Sequence, residues 1–128
     1  MVVSKYLIHI LKEDRKNILN TWEQRASQEV SSIYGSPLVL QSKITKVMAS
    51  LDDALEEVNQ GESLLKVQEI LDQTKINLRP ENYSSDQVLF EYHLFKEVLF
   101  EKLENSLPLR NSESDILLTL IDHAVLAA

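Results

Sequence analysis

From Ser4 to about Ser32 the apolar residues Leu7, Ile8, Leu11, Ile18, Leu19, Trp22, Ala26 and Val30, with Ile33 just beyond, return at steps of three and four. That spacing lines one face of an α-helix. The stripe lapses across Lys12-Glu13-Asp14-Arg15-Lys16, where Asp14 can cap a fresh helix, so a short leading helix before a long one is also compatible with the pattern. Tyr34-Gly35-Ser36-Pro37 closes the segment, because Gly supplies a helix C-terminus and Pro resists continuation. Leu38-Val39-Leu40 then reads as extended chain running into Ser42. Ile44, Val47, Met48, Leu51, Ala54, Leu55 and Val58 make the second stripe, which stops at Asn59-Gln60-Gly61.

Ser63 caps a short third helix carrying Leu64, Val67, Ile70 and Leu71, and the loop Asn77 to Asn82 follows. The start of the fourth helix is the best marked. Ser84 stands as N-cap with Gln87 as its capping-box partner, and Tyr83 and Val88 are placed as a hydrophobic staple. Val88, Tyr92, Phe95, Leu99 and Leu103 line one face of this helix, while Phe90, Leu94 and Val98 line another. A helix apolar on two faces is either central in its fold or shared with a partner. Pro108 precedes a fifth helix, capped by Asn111 or Ser112 and filled by Ile116, Leu117, Leu120, Ile121, Ala124 and Val125. The principal helices are thus expected near 14–33, 43–59, 84–105 and 112–127. The last reaches Ala127-Ala128 with no closing Gly, Pro, Lys or Arg, which reads as a cut inside a longer protein.

The expected fold is therefore a single-domain, all-α bundle of about five helices over residues 1–128. Composition agrees: two Gly and three Pro in 128 residues are too few for the turns of an antiparallel sheet protein. A net charge of −7, with no basic stripe, disfavours binding to nucleic acid or an anionic membrane. No apolar run reaches membrane-spanning length. The absence of cysteine excludes disulfides and thiolate chemistry and makes a reducing cytoplasm the simplest compartment.

Candidate chemistry is sparse. Three residues before His9, His93 and His123 stand Tyr6, Phe90 and Leu120, so the Glu-x-x-His pairs of di-iron bundles are missing, and no metal, haem or other cofactor is expected. Asp52, Asp53, Glu56 and Glu57 read as a solvated helix face. With Gly only at 35 and 61, neither a phosphate loop nor a nucleophile elbow can be built. No catalytic residue is assigned. One specific alternative is a histidine-containing phosphotransfer domain, with His93 as phosphoacceptor and Lys96 one turn later. Glu97 beside that site would repel the phosphoryl group.

Several segments together resemble a family. They are Ile18-Leu19-Asn20-Thr21-Trp22, Pro37-Leu38-Val39-Leu40-Gln41-Ser42 leading to Met48 and Leu51, the run from Tyr83 to Glu97 with Glu91-Tyr92, and Ile121-Asp122-His123-Ala124. They are similar to the RsbRD-type N-terminal sensory domains of bacterial histidine kinases and stress-signalling co-antagonists. The resemblance implies a helical sensory domain, globin-like without haem, that pairs with itself and passes a signal to a C-terminal kinase or other output domain. A self-pairing surface is expected to include Phe90, Leu94, Val98, Ile116 and Leu118, the apolar positions outside the main stripes.

Overall fold

The computed structural model describes residues 5–78, 85–106 and 111–126. Among them are six helices: α1 Lys5–Glu13, α2 Arg15–Tyr34, α3 Gln41–Asn59, α4 Leu64–Gln73, α5 Ser85–Ser106 and α6 Asn111–Ala124. The all-α reading holds. The break at Asp14 separates α1 from α2, so the first amphipathic stretch is two helices. Asp14 makes no side-chain cap; its own N–H reaches the Ile10 carbonyl at 2.8 Å and its carbonyl accepts from Ile18 at 2.9 Å. The polar run explains the break. Lys12 pairs with Glu56 and Arg15 with Asp52, so the junction between α1 and α2 is held to α3 through charge, while Leu7, Leu11 and Ile18 on either side enter the core. Asp52 corrects the expectation of a wholly solvated acidic face, because it is buried beneath Arg15, whereas Asp53 and Glu57 are exposed.

Gly35 ends α2 in the left-handed region at φ 65°, and its N–H bonds the Ser31 carbonyl at 3.1 Å. Helix α3 begins earlier than Ser42 suggested: Leu40 is the N-cap, and its carbonyl takes the first helical bond from Ile44. Ser63 caps α4 as expected, its hydroxyl accepting from the Lys66 N–H at 3.2 Å. The expected Ser84 cap and Tyr83 staple lie outside the described residues, and so does the stretch around Pro108.

The end of the chain departs from the expected continuous helix. α6 stops at Ala124, and the pair Val125–Leu126 (β2) runs parallel to Ile76–Asn77 (β1), in register Ile76 with Val125 and Asn77 with Leu126. The Leu78 N–H adds a bond to the Leu126 carbonyl at 2.8 Å. β-Branched Ile76 and Val125 suit this short ladder.

The helices share one core. α5 packs chiefly on α2 and also on α1, while α6 lies against α3 and α4. Trp22 and Phe95 meet edge to face at 6.4 Å between ring centres, both fully buried. Of the second apolar face of α5, Val98 is as buried as Phe95 and Leu99, while Phe90 and Leu94 are half buried, so this core covers that face in part.

Candidate functional site

Two polar clusters stand out, one inside the bundle and one at the C-terminal end of α6. The inner cluster is built around Glu91, whose side chain is wholly buried in the middle of α5. Its Oε1 accepts the backbone N–H groups of Val39 and Leu40, each at 3.0 Å, and Oε2 accepts Gln87 Nε2 at 2.9 Å. Gln87 also donates to the Pro37 carbonyl at 3.0 Å and accepts from the Ser36 hydroxyl at 2.7 Å. Trp22 Nε1 donates to the Glu91 carbonyl at 2.9 Å. The Gln87 amide, expected in a local capping box with Ser84, which lies outside the described residues, is thus bonded to the segment 36–37 and to Glu91.

This arrangement explains where α3 starts. In a capping box, an acidic side chain in the first turn bonds the N-cap N–H; here Glu91 performs that part from another helix. Its negative charge also sits at the positive end of the α3 dipole. A hydroxyl cap at Ser42 is unnecessary, and Ser42 is exposed within the first turn. The Glu91 role went unread in the sequence although a signal was present. An acidic residue falls inside the stripe Val88, Tyr92, Phe95, at a position a core helix gives to a carboxylate only when donors meet it.

The outer cluster holds the end of α6. Asp122 Oδ1 accepts from the Tyr92 hydroxyl at 3.1 Å and lies 3.7 Å from Lys96 Nζ, which sits 4.6 Å above the Tyr92 ring. Burial first, then the Asp122 charge, pushes the Tyr92 phenol well above its ordinary range, so it remains a neutral donor. One residue on, His123 Nδ1 is 2.7 Å from Asp72 Oδ1 at the end of α4, with Lys75 at 3.5 Å.

The His123 hydrogen bond, aided by the charges of His123 and Lys75, holds the Asp72 carboxyl below its ordinary value of 3.8. A depressed folded-state value means that this carboxylate stabilises the fold above about pH 3.8 and loses that contribution as the pH falls through the lower, folded-state value. Asp72→Asn is expected to lower the thermal midpoint modestly at neutral pH and to flatten its decline below pH ~4. Thermal melts of both proteins across the acid range check this; parallel curves would refute it.

The residues expected at a partner surface divide. Leu118 is 39% exposed, and Phe90 and Leu94 are half buried, Phe90 edge-on to Tyr34 at 6.0 Å. Val98 and Ile116 are corrected: at 0% and 4% exposure they belong to the core of this chain and present nothing to a partner. Ile116 lies one turn before Leu120 on the stripe that faces α3 and α4, and Val98 lies one turn after Phe95. His93 is exposed on α5, while Lys96 is engaged by Asp122 and the Tyr92 ring. Among the described residues, no three His, Asp or Glu side chains are grouped so as to hold a metal ion, and no helix is long and apolar enough to cross a membrane.

Comparison of the chain with protein-family models, with curated proteins and with solved structures returned no match.

Proposed function

We propose that this chain is a signal-input and self-association domain of a bacterial sensor histidine kinase or related cytoplasmic signalling protein, placed ahead of the output and without catalysis of its own. The observation that carries the reading is the way the last turn of α6 is tied to the bundle. Asp122 and His123 are consecutive, yet one is bound to α5 and the other to α4, and the following Leu126 is bound beside β1. A shift of α4 against α5 therefore has to be felt at the end of α6, and packed helices favour discrete rearrangements of this kind over gradual deformation. The resemblance to RsbRD-type domains supports the same reading.

Self-association is assigned to the outer sides of α5 and α6, through Phe90, Leu94 and Leu118, in a two-fold pair. Sedimentation of the chain at micromolar concentration is expected to give a dimer, and Leu94→Glu and Leu118→Glu are expected to dissociate it. A clean monomer whose mass neither substitution changes would remove the reading. The phosphotransfer alternative draws on the exposure of His93, but its Lys96 is already committed. Acid-labile phosphate on His93 after incubation with a phosphorylated response regulator would put that alternative in its place.

A further inference from the structure

A groove of about 400 Å³ runs between α3 and α4. Its floor is Ala54, Val67 and Leu71, with Ile70 on its wall, and Asp53, Glu57 and Glu62 stand along its rim. α4 is short and carries more apolar residues than the bundle covers: Ile70 remains 46% exposed and Leu65 on the same helix 66%. The α3 side follows the stripe Ser50, Asp53, Ala54, Glu57, the i, i+3, i+4, i+7 spacing of one helix face, so the groove extends over about two helical turns. Lys66 is the single basic residue of the lining, and its ammonium lies 3.7 Å from Glu62, leaving Asp53 and Glu57 to set the sign of the rim.

We infer that this groove docks an amphipathic helix of a partner protein, one that presents apolar side chains at i, i+3 or i+4, and i+7 with Lys or Arg on the flank that lies along α3. An apolar floor bordered on its α3 side by the exposed carboxylates of Asp53 and Glu57 is complementary to such a helix and repels an acidic one. Charge also argues against a second copy as the occupant, since this chain has a net charge of −7. The inference is independent of pairing through α5 and α6, because none of the groove's lining residues belongs to those helices.

The probe is a fluorescein-labelled, Ala-based helical peptide with Leu at those spacings and Lys along one flank; the same peptide with Glu for Lys is the control. Anisotropy with the whole chain is expected to show saturable binding of the Lys peptide at low ionic strength, weakened by salt, and no binding of the control. Ile70→Lys and the double substitution Asp53→Lys, Glu57→Lys are each expected to weaken binding about tenfold or more, and Lys66→Glu to strengthen it. All four positions are exposed, and unchanged melting curves establish that the variants fold. Amide shift changes on adding the Lys peptide should centre on Asp53, Glu57, Val67 and Ile70. Equal affinity for the double variant, or shifts spread over the acidic surface, would reduce the effect to general charge attraction and overturn the inference. So would absence of binding, or a chain dimer that Ile70→Lys alone dissolves, which would make a second copy the occupant.

Discussion

Glu91→Ala is expected to destabilise the chain by about 3–5 kcal/mol, among the largest losses any single side chain here can cause. Three donors converge on this carboxylate: the N–H groups of Val39 and Leu40 and the amide of Gln87. Hydrogen bonds to a charged acceptor contribute about 1.5–3 kcal/mol each, and a buried donor stripped of its partner costs about 1–3 kcal/mol. Admission of water to the vacated space offsets part of that sum, which is why the expected loss is below the total. Gln87 would lose its anchor, and with it the hold on the Pro37 carbonyl, so the segment between α2 and α3 should loosen before the bundle as a whole. Glu91→Gln keeps one acceptor oxygen but turns an NH2 group toward donors, and is expected to cost about 1–3 kcal/mol. The exposed Glu97→Ala should stay within about 0.5 kcal/mol of the parent. Urea denaturation followed by circular dichroism measures all three; a loss under about 1 kcal/mol for Glu91→Ala would mean that Glu91 does not cap α3 in solution.

Trp22→Ala is expected to cost a similar amount, about 3–5 kcal/mol, by a different mechanism. The indole is completely buried, meets Phe95 edge to face, and donates to the Glu91 carbonyl across the most extensive helix pairing among the described residues, that of α2 with α5. Truncation leaves a cavity that the surrounding helices close only in part. Trp22→Phe retains most of the apolar volume and loses the hydrogen bond, so it is expected to cost about 1–2 kcal/mol. At about 3–5 °C per kcal/mol for a chain of this size, the midpoint should fall by roughly 10–20 °C for the alanine variant and by less than about 10 °C for the phenylalanine one. A melting curve settles the ordering. If both variants fall equally, the hydrogen bond rather than the packing dominates.

The two substitutions remove adjoining contacts at one residue, since Trp22 bonds the backbone carbonyl of Glu91 and the Glu91 carboxylate bonds the backbone of Val39 and Leu40. Their effects should therefore fall short of additivity when combined. Such a node ties α2, α5 and the start of α3 into one unit, while the other polar cluster, around Asp122 and His123, ties α4, α5 and α6. Tyr92 belongs to the second cluster and follows Glu91 directly, so α5 contributes a residue to each.

The helical class and most helix positions were legible in the sequence because they depend on local periodicity and on residues with special backbone preferences. Gly35, Gly61 and Ser63 end or begin helices where their own conformational preferences direct, and the stripes of α3 and α6 bury the residues whose spacing announced them, as does that of α2 apart from half-buried Leu19 and exposed Ile33. Other features depended on groups brought together from distant parts of the chain. The N-terminus of α3 is set by Glu91, some fifty residues away, so no local rule locates it. Asp52 is buried because Arg15 comes to lie against it; spacing within α3 alone assigns it to solvent. Val98 and Ile116 fall in the core because α5 packs on both α2 and α1 and the α6 stripe is broad, an outcome of packing that a helical wheel leaves open between interior and interface. The final turn behaves likewise: Val125 and Leu126 continue a helical pattern in sequence, but pairing with Ile76 and Asn77 draws them into an extended ladder. Local spacing determines which residues can share a face, and only the assembled fold decides what that face meets.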